Sequence, residues 1–234
     1  VPDISMALVR NDTEHIEKRV KSSLMFAIFV SFMIVPVFIA IGDRIGLFLY
    51  DDALSGTLLQ YSAWIMIPMG ISNIASAILN SVGLEVKSFV NYVIGDVFMF
   101  LAIFILPQFV GINALIIGMG LSAVISSTLN ILMLKKRLKI KVGLSKMLLT
   151  MFLLSLPTVA ITSFLSSIFA FIMPSFFNIL LSGIIGVLIF VTLCMVFNVV
   201  NFSVYLVQFK EKFIKKKGKT AKIAVFFKKS RKKK

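Results

Sequence analysis

Long stretches without a charged residue dominate the chain. Two of them, 22–42 and 53–84, are 21 and 32 residues long, and a third, 147–209, runs for 63 residues. Between 88 and 134 the one charged side chain is Asp96. A helix that crosses about 30 Å of hydrocarbon needs about 20 apolar residues. The stretches 22–42 and 53–84 therefore hold one span each, and the stretches 88–134 and 147–209 hold two each.

Proline and glycine mark where the longer stretches turn back. Pro107 and Gly111 interrupt the stretch that contains Asp96, and Pro174 interrupts the last one. The stretches lack period-two alternation, which favours helices over strands, and a helix in lipid satisfies its own backbone hydrogen bonds. The pattern predicts an all-α integral membrane protein with six transmembrane helices. We place them at 22–42, 58–81, 88–106, 112–134, 147–172 and 178–207.

Composition supports a membrane protein and removes several functions. Apolar residues make up 59% of the 234 residues, and the mean hydropathy is +0.99. A water-soluble protein this apolar could not cover its surface with polar groups. With one histidine, His15, and one cysteine, Cys194, the sequence predicts no metal site and no internal disulfide. It contains no glycine-rich nucleotide motif and no nucleophile–base set, so we expect no catalytic residues and no cofactor.

Basic residues are confined to alternate connections between the predicted spans. Of the 25 Lys and Arg residues, 24 lie in four segments, and the other connections contain Arg44 alone. The four basic segments are 1–21, 82–87, 135–146 and 210–234. This positive-inside asymmetry predicts a multi-pass protein of the cell membrane with both ends of this chain in the cytoplasm.

The spans and the charge pattern together predict five regions. These are a cytoplasmic segment 1–21 that follows a missing helix, four spans in 22–134, a basic cytoplasmic loop 135–146, two additional spans in 147–207, and a polybasic cytoplasmic tail 208–234. The net charge of +15 lies beside the membrane, so the expected partner is anionic lipid rather than nucleic acid.

Within the tail, residues 210–234 hold 13 Lys and Arg residues in 25 positions. Basic clusters beside a membrane helix are attracted to anionic lipid by about 1 kcal/mol per charge, and an aromatic pair can enter the interface. The predicted membrane-surface residues are Lys215, Lys216, Lys217, Phe226 and Phe227. A topology signal without a further role is the alternative.

Asp96 is the strongest candidate for a functional residue. A carboxylate in a span costs about 3 kcal/mol unless it faces a cavity or a partner. If 58–81 and 88–106 form an antiparallel hairpin, Asp96 lies beside Asn73. Asp96 is then either part of a cation, proton or substrate site, or a protonated group that joins two helices through Asn73.

Two polar stripes flank this candidate. The first contains Ser62, Asn73, Ser76 and Asn80, and it either faces a cavity or packs. The second contains Gly118, Ser122, Ser126 and Asn130, whose four-residue spacing favours close helix packing. Lys87 either meets a pyrophosphate headgroup or only sets topology. The candidates for a substrate or ion pathway are Asp96, Asn73, Ser76, Asn80 and Lys87.

Several short motifs follow one another along 1–141. They are Val1-Pro2-x-Ile4-Ser5-x-Ala7 with Asn11-Asp12, Pro36 followed by Ile45-Gly46-Leu47-Phe48-Leu49-Tyr50, Ile78-Leu79-Asn80-Ser81-Val82-Gly83 with Lys87, Pro107-x-x-x-Gly111-Ile112-Asn113-Ala114, and Leu129-Asn130. In this order they resemble the MATE-like flippases of the multidrug/oligosaccharidyl-lipid/polysaccharide exporter superfamily. Within it the chain is most similar to the stage V sporulation protein B and polysaccharide exporter group.

The resemblance implies a transporter fragment. The six helices would be the ninth to the fourteenth of a fourteen-helix layout, namely the C-terminal lobe plus two extra helices, and the N-terminal lobe of the same protein would be a partner. The implied function is export of a lipid-linked oligosaccharide or cell-wall polysaccharide precursor by alternating access, with a role in sporulation. A cation-coupled multidrug exporter of the same superfamily and a non-transporting membrane scaffold for envelope assembly are the alternatives.

Overall fold

The computed structural model describes residues 13–140 and 143–199, and within these ranges the chain is helical and forms no strand. The helices, in chain order, are α1 (Thr13–Tyr50), α2 (Ala53–Ser62), α3 (Met66–Ser81), α4 (Glu85–Ile105), α5 (Pro107–Val110), α6 (Asn113–Leu138), α7 (Ser145–Ile172) and α8 (Ser175–Val196). A 3₁₀ turn, Ala63–Ile65, joins α2 directly to α3. In the described ranges six helical segments are long and apolar enough to cross a membrane, which confirms the predicted number.

The first helix is much longer than the span predicted for it. α1 has 38 residues and continues through Pro36, so it is about 57 Å long at 1.5 Å per residue. The predicted span 22–42 contains only its charge-free part. The helix continues past the hydrocarbon at both ends because charged side chains are compatible with a helix once they reach water.

Asp51 and Asp52 separate α1 from α2. Asp51 has a φ of 52°, a left-handed conformation that aspartate tolerates better than most residues, and it ends α1. The Asp52 carboxylate caps α2, because it accepts hydrogen bonds from the backbone N–H groups of Leu54 at 3.2 Å and Ser55 at 2.9 Å. The second span therefore begins at Ala53, five residues before the predicted start at residue 58.

This cap lowers the pKa of Asp52 below its ordinary value of 3.8, and the Ser55 hydroxyl, 2.7 Å away, is the largest cause. A carboxyl with a lowered pKa in the folded state stabilises that state fully above its unfolded pKa. The contribution is lost in acid, as the pH falls from about 3.8 through the lower folded-state value.

We predict that Ser55→Ala raises the pKa of Asp52 toward 3.8. The substitution removes the hydroxyl donor and leaves both backbone donors in place. Carbon NMR of labelled aspartate carboxyls would follow the titration. Thr57→Ala is the control, because the Thr57 hydroxyl donates to the carbonyl of Ala53 at 3.1 Å and not to Asp52. An unchanged titration in Ser55→Ala would contradict the assigned cause.

Glycine closes the two tight connections in the middle of the chain. Gly83 lies between α3 and α4 with a φ of 74°, and Gly111 lies between α5 and α6 with a φ of 57°. Both angles favour glycine because other residues have a Cβ atom that clashes in this region. The predicted Pro–Gly turn is confirmed, and α5 is the single helical turn that it contains.

The order of packing differs from the order along the chain. α1 packs against α2, α3 and α7, and α6 packs against α3. α4 packs mainly against α6, although α3 precedes it directly in sequence. More than half of the most apolar stretch of α1 is buried, at 56%, against 22% for α4. α4 therefore lies at the periphery of the described helices.

Packing divides the chain after Thr192. The first unit contains α1 to α7 and residues 175–192 of α8. From the second unit the structure describes residues 193–199, where α8 ends at Val196 and the N–H of Asn198 closes a turn to the Met195 carbonyl at 3.1 Å. The last helix was predicted to continue to residue 207, so this boundary was wrong by eleven residues.

Several sequence predictions lie outside the described residues. The first family-like motif, in 1–12, and the tail residues Lys215, Lys216, Lys217, Phe226 and Phe227 belong to this group.

Candidate functional site

A first network of buried polar side chains joins α3, α4 and α6. Asn91 Nδ2 donates to Asn130 Oδ1 at 2.8 Å, and Asn130 Nδ2 donates to Ser72 Oγ at 3.3 Å. Ser72 Oγ then donates to Ser126 Oγ at 3.3 Å, whose hydroxyl donates to the Ala123 carbonyl at 3.3 Å. Because each of these donors finds an acceptor inside the helices, this network joins the three helices directly.

Small residues allow α4 and α6 to approach closely beside this network. A Cβ atom on Gly95 would lie 2.8 Å from the Ser122 carbonyl oxygen, and one on Gly118 would lie 3.1 Å from the Met99 carbonyl oxygen. Ser122, Ser126 and Gly118 are all buried. The predicted stripe on α6 therefore serves close helix packing, the use that its spacing favoured.

A second polar group lies on the exposed side of α3 and α4. Tyr92 Oη donates to Asn73 Oδ1 at 3.4 Å, and Asp96 follows Tyr92 by one helical turn. Asn73 and Asp96 are exposed, and Tyr92 is half-buried. We call these three residues the polar patch. Asp96 lies eleven residues after the start of α4, which is about 16 Å along the helix and near the middle of the bilayer.

The partner of Asp96 is on a different helix from the predicted one. Its Oδ1 accepts a hydrogen bond from the Ser122 hydroxyl of α6 at 2.8 Å, whereas Asn73 is bound by Tyr92. The expected pairing of Asp96 with Asn73 was wrong. α4 leans away from α3 onto α6 because Gly95 and Gly118 let these two backbones approach closely.

The remaining predicted candidates lie closer to the turn between α3 and α4. Ser76 is half-buried, and its hydroxyl oxygen accepts from Ser88 at 2.7 Å. Asn80 and Lys87 are exposed. In the described ranges no three His, Cys, Asp or Glu side chains lie close enough to hold a metal ion.

Four residues of these contacts were not predicted from the sequence: Ser72, Ser88, Asn91 and Gly95. The last three lie on one face of α4 at spacings of three and four residues, and all three are buried. That helical spacing was the available signal, because small and polar residues so arranged in a span mark a packing face.

A second buried network lies in the last two helices. Asn178 Oδ1 accepts from the hydroxyls of Ser166 at 3.2 Å and Ser182 at 2.9 Å, and its Nδ2 donates to the Ser166 carbonyl at 3.1 Å. A Cβ atom on Gly186 would lie 2.8 Å from Thr162 Oγ1. Although the only charged residue of α7 and α8 is Lys146, at the start of α7, these two helices are joined by specific polar contacts as well as by apolar packing.

Comparison of the chain with protein-family models, with curated proteins and with solved structures finds no match. The fold and its polar contacts define a class of protein: a multi-pass α-helical membrane protein with a polar patch at mid-depth on its exposed side.

Proposed function

We propose that the chain is the C-terminal lobe of a MATE-like flippase that moves a lipid-linked saccharide across the cell membrane. The observation that carries this proposal is the exposure of Asp96 on α4, near the middle of a span. A carboxylate that faced lipid there would cost about 3 kcal/mol or more. This face therefore borders either a water-filled cavity or another part of the protein.

The distribution of polar groups supports a lobe that moves as a unit. The first buried network, from Asn91 to Ala123, joins α3, α4 and α6. Asn73, Tyr92 and Asp96 remain on the exposed side. Alternating access needs a rigid lobe with a polar face that borders the transport pathway. A non-transporting scaffold needs the first feature but has no use for the second.

The resemblance of the sequence motifs supports the substrate class. A headgroup of linked sugars offers many hydroxyl groups, and amide, phenol and carboxylate side chains such as those of the polar patch can bind them. We place the basic loop 135–146 on the cytoplasmic side, in agreement with the positive-inside rule. The N-terminal lobe of the same protein would form the opposite wall of the pathway.

Neutralisation of Asp96 is the test of this function. We expect Asp96→Asn to lower the initial rate of precursor translocation by at least about tenfold, which corresponds to about 1.4 kcal/mol. The measurement is translocation of labelled lipid-linked saccharide in vesicles that contain the full-length protein. Glu85→Gln is the matched control, because it removes a carboxylate from the water-facing end of the same helix.

Each result separates the proposal from an alternative. If the full-length protein moves no more headgroup than protein-free vesicles, the flippase proposal is wrong. Drug efflux that requires Asp96, without precursor movement, would instead identify a cation-coupled exporter, for which a mid-membrane carboxylate provides a cation or proton site. Full activity in cells after replacement of all three patch residues by apolar ones would favour the scaffold.

A further inference from the structure

A cavity of about 340 Å³ lies between the end of α1 and the connection from α7 to α8. It carries charge, polar groups and apolar surface together. Its lining includes Arg44, Leu47, Phe48, Asp51, Met173 and Asn178. It is well separated from the polar patch in sequence and in the fold, because none of its lining residues belongs to α3, α4 or α6.

The cavity lies at the level of lipid headgroups. The charge-free part of α1, 22–42, is centred on residue 32, and Arg44 is twelve residues beyond that centre. Twelve residues of helix measure about 18 Å, whereas half of the hydrocarbon is about 15 Å thick. Arg44 thus lies just outside the hydrocarbon, on the side opposite to the basic loop 135–146.

Two opposite charges line this cavity without pairing with each other. In the described ranges the Arg44 guanidinium has one hydrogen-bond partner, the Ser167 hydroxyl at 3.4 Å, and forms no ion pair. Asp51 lines the same cavity, and only its backbone N–H is bonded, to the Leu47 carbonyl at 3.0 Å. A guanidinium has five donors, and a carboxylate accepts only. The pair is therefore free to bind a ligand that carries both an anion and a cation.

An apolar groove adjoins this polar cavity at Met173. It has a volume of about 270 Å³ and shares Met173 with the cavity. Its other lining residues are Pro174, Phe177, Leu180, Leu181 and Ile184. Phe48, in the cavity wall, contacts Phe176 with ring centroids 6.0 Å apart, so the end of α1 packs against the start of α8 beside the cavity.

We propose that this cavity and groove bind a phospholipid with a primary ammonium headgroup, such as phosphatidylethanolamine. Arg44 binds the phosphate, Asp51 accepts hydrogen bonds from the ammonium, and an acyl chain lies in the groove between Met173 and Ile184. An anionic headgroup fits less well because Asp51 and Asp52 repel it. A choline headgroup cannot donate a hydrogen bond to Asp51.

Competition between lipids tests the proposal. The purified full chain is incubated in detergent with equal amounts of phosphatidylethanolamine, phosphatidylcholine and phosphatidylglycerol that have identical acyl chains, and retained lipid is measured by native mass spectrometry. We expect phosphatidylethanolamine to be retained most. Arg44→Ala should reduce its retention by about tenfold or more, since a charge-assisted contact to the phosphate is lost.

Three further variants separate the two charged contacts. Asp51→Asn keeps a residue that tolerates the left-handed backbone, and we expect it to abolish the preference for ethanolamine over choline while phospholipid is still retained. Arg44→Lys should keep phosphate binding, which guards against a general effect of substitution on folding. Arg137→Ala is the matched control, because Arg137 is exposed at the end of α6 on the other side.

The proposal is overturned by any of three results. These are equal retention of the three lipids by the unsubstituted chain, a preference for phosphatidylglycerol, and unchanged retention of phosphatidylethanolamine in Arg44→Ala. Transport is not measured in this experiment, so its outcome is independent of the proposed flippase function.

Discussion

Replacement of Gly46 by alanine is expected to separate α1 from α2 and to cause one of the largest losses of stability in the described chain. A Cβ atom on Gly46 would overlap the backbone N and Cα atoms of Gly56. A Cβ atom on Gly56 would in turn lie 2.6 Å from Asp43 Cα. Side chains can rotate away from a clash, whereas these backbones can only move apart.

We expect the free energy of unfolding to fall by an amount at or above the upper end of the roughly 1–3 kcal/mol that overpacking costs. Thermal unfolding in detergent can be followed by the fluorescence of Trp64, the single tryptophan of the chain, whose ring centroid lies 5.6 Å from that of Phe152 in α7. The variant should unfold at a clearly lower temperature.

Gly120→Ala is the control for this prediction. A Cβ atom on Gly120 would meet nothing closer than Ile65 Cγ1, at 3.9 Å. We expect no loss of stability, and a gain of up to about 1 kcal/mol because alanine favours the helix. Equal unfolding temperatures for the Gly46 and Gly120 variants would show that α1 and α2 do not pack at Gly46.

The number of spans was predicted from the sequence, whereas the helix contact at Gly46 was not. The number of spans follows from the lengths of the apolar stretches, from the Pro and Gly breaks within them and from the alternation of basic connections, because the bilayer sets the length of a helix that crosses it. Gly42 and Gly46 have the four-residue spacing of a close helix contact. Their significance was missed because Asp43 and Arg44 lie between them, in a segment that was assigned to a connection.

The candidate site could be predicted in composition but not in geometry. Asp96 stands out in sequence because it is a lone charge in a long apolar stretch. Ser122 was predicted as part of a packing stripe but not as the partner of Asp96, because adjacency in a hairpin leaves open which neighbour a helix packs against. Gly95 and Gly118 decide this by letting α4 approach α6. Such a choice depends on the combined shapes of two surfaces, which a single periodic pattern does not contain.

Among the polar residues of the first buried network, Asn130 is the one whose substitution is expected to reduce stability most. It is fully buried and holds two helices at once, because it accepts from Asn91 of α4 and donates to Ser72 of α3. Asn130→Leu leaves the Asn91 amide with only the Met133 sulfur, 4.0 Å away. We expect a loss of about 2 kcal/mol, since an unsatisfied buried group costs about 1–3 kcal/mol and hydrogen bonds between transmembrane helices average less.

A double-mutant cycle distinguishes lost bonds from poor packing. Asn91→Leu removes the donor that Asn130→Leu leaves unpaired, so the double variant should be more stable than the sum of the two single losses predicts. Thr128→Val is the control, because Thr128 is exposed and its hydroxyl donates only to the Val124 carbonyl of its own helix, at 2.7 Å. Strict additivity of the two losses would mean that the contact between Asn91 and Asn130 contributes nothing.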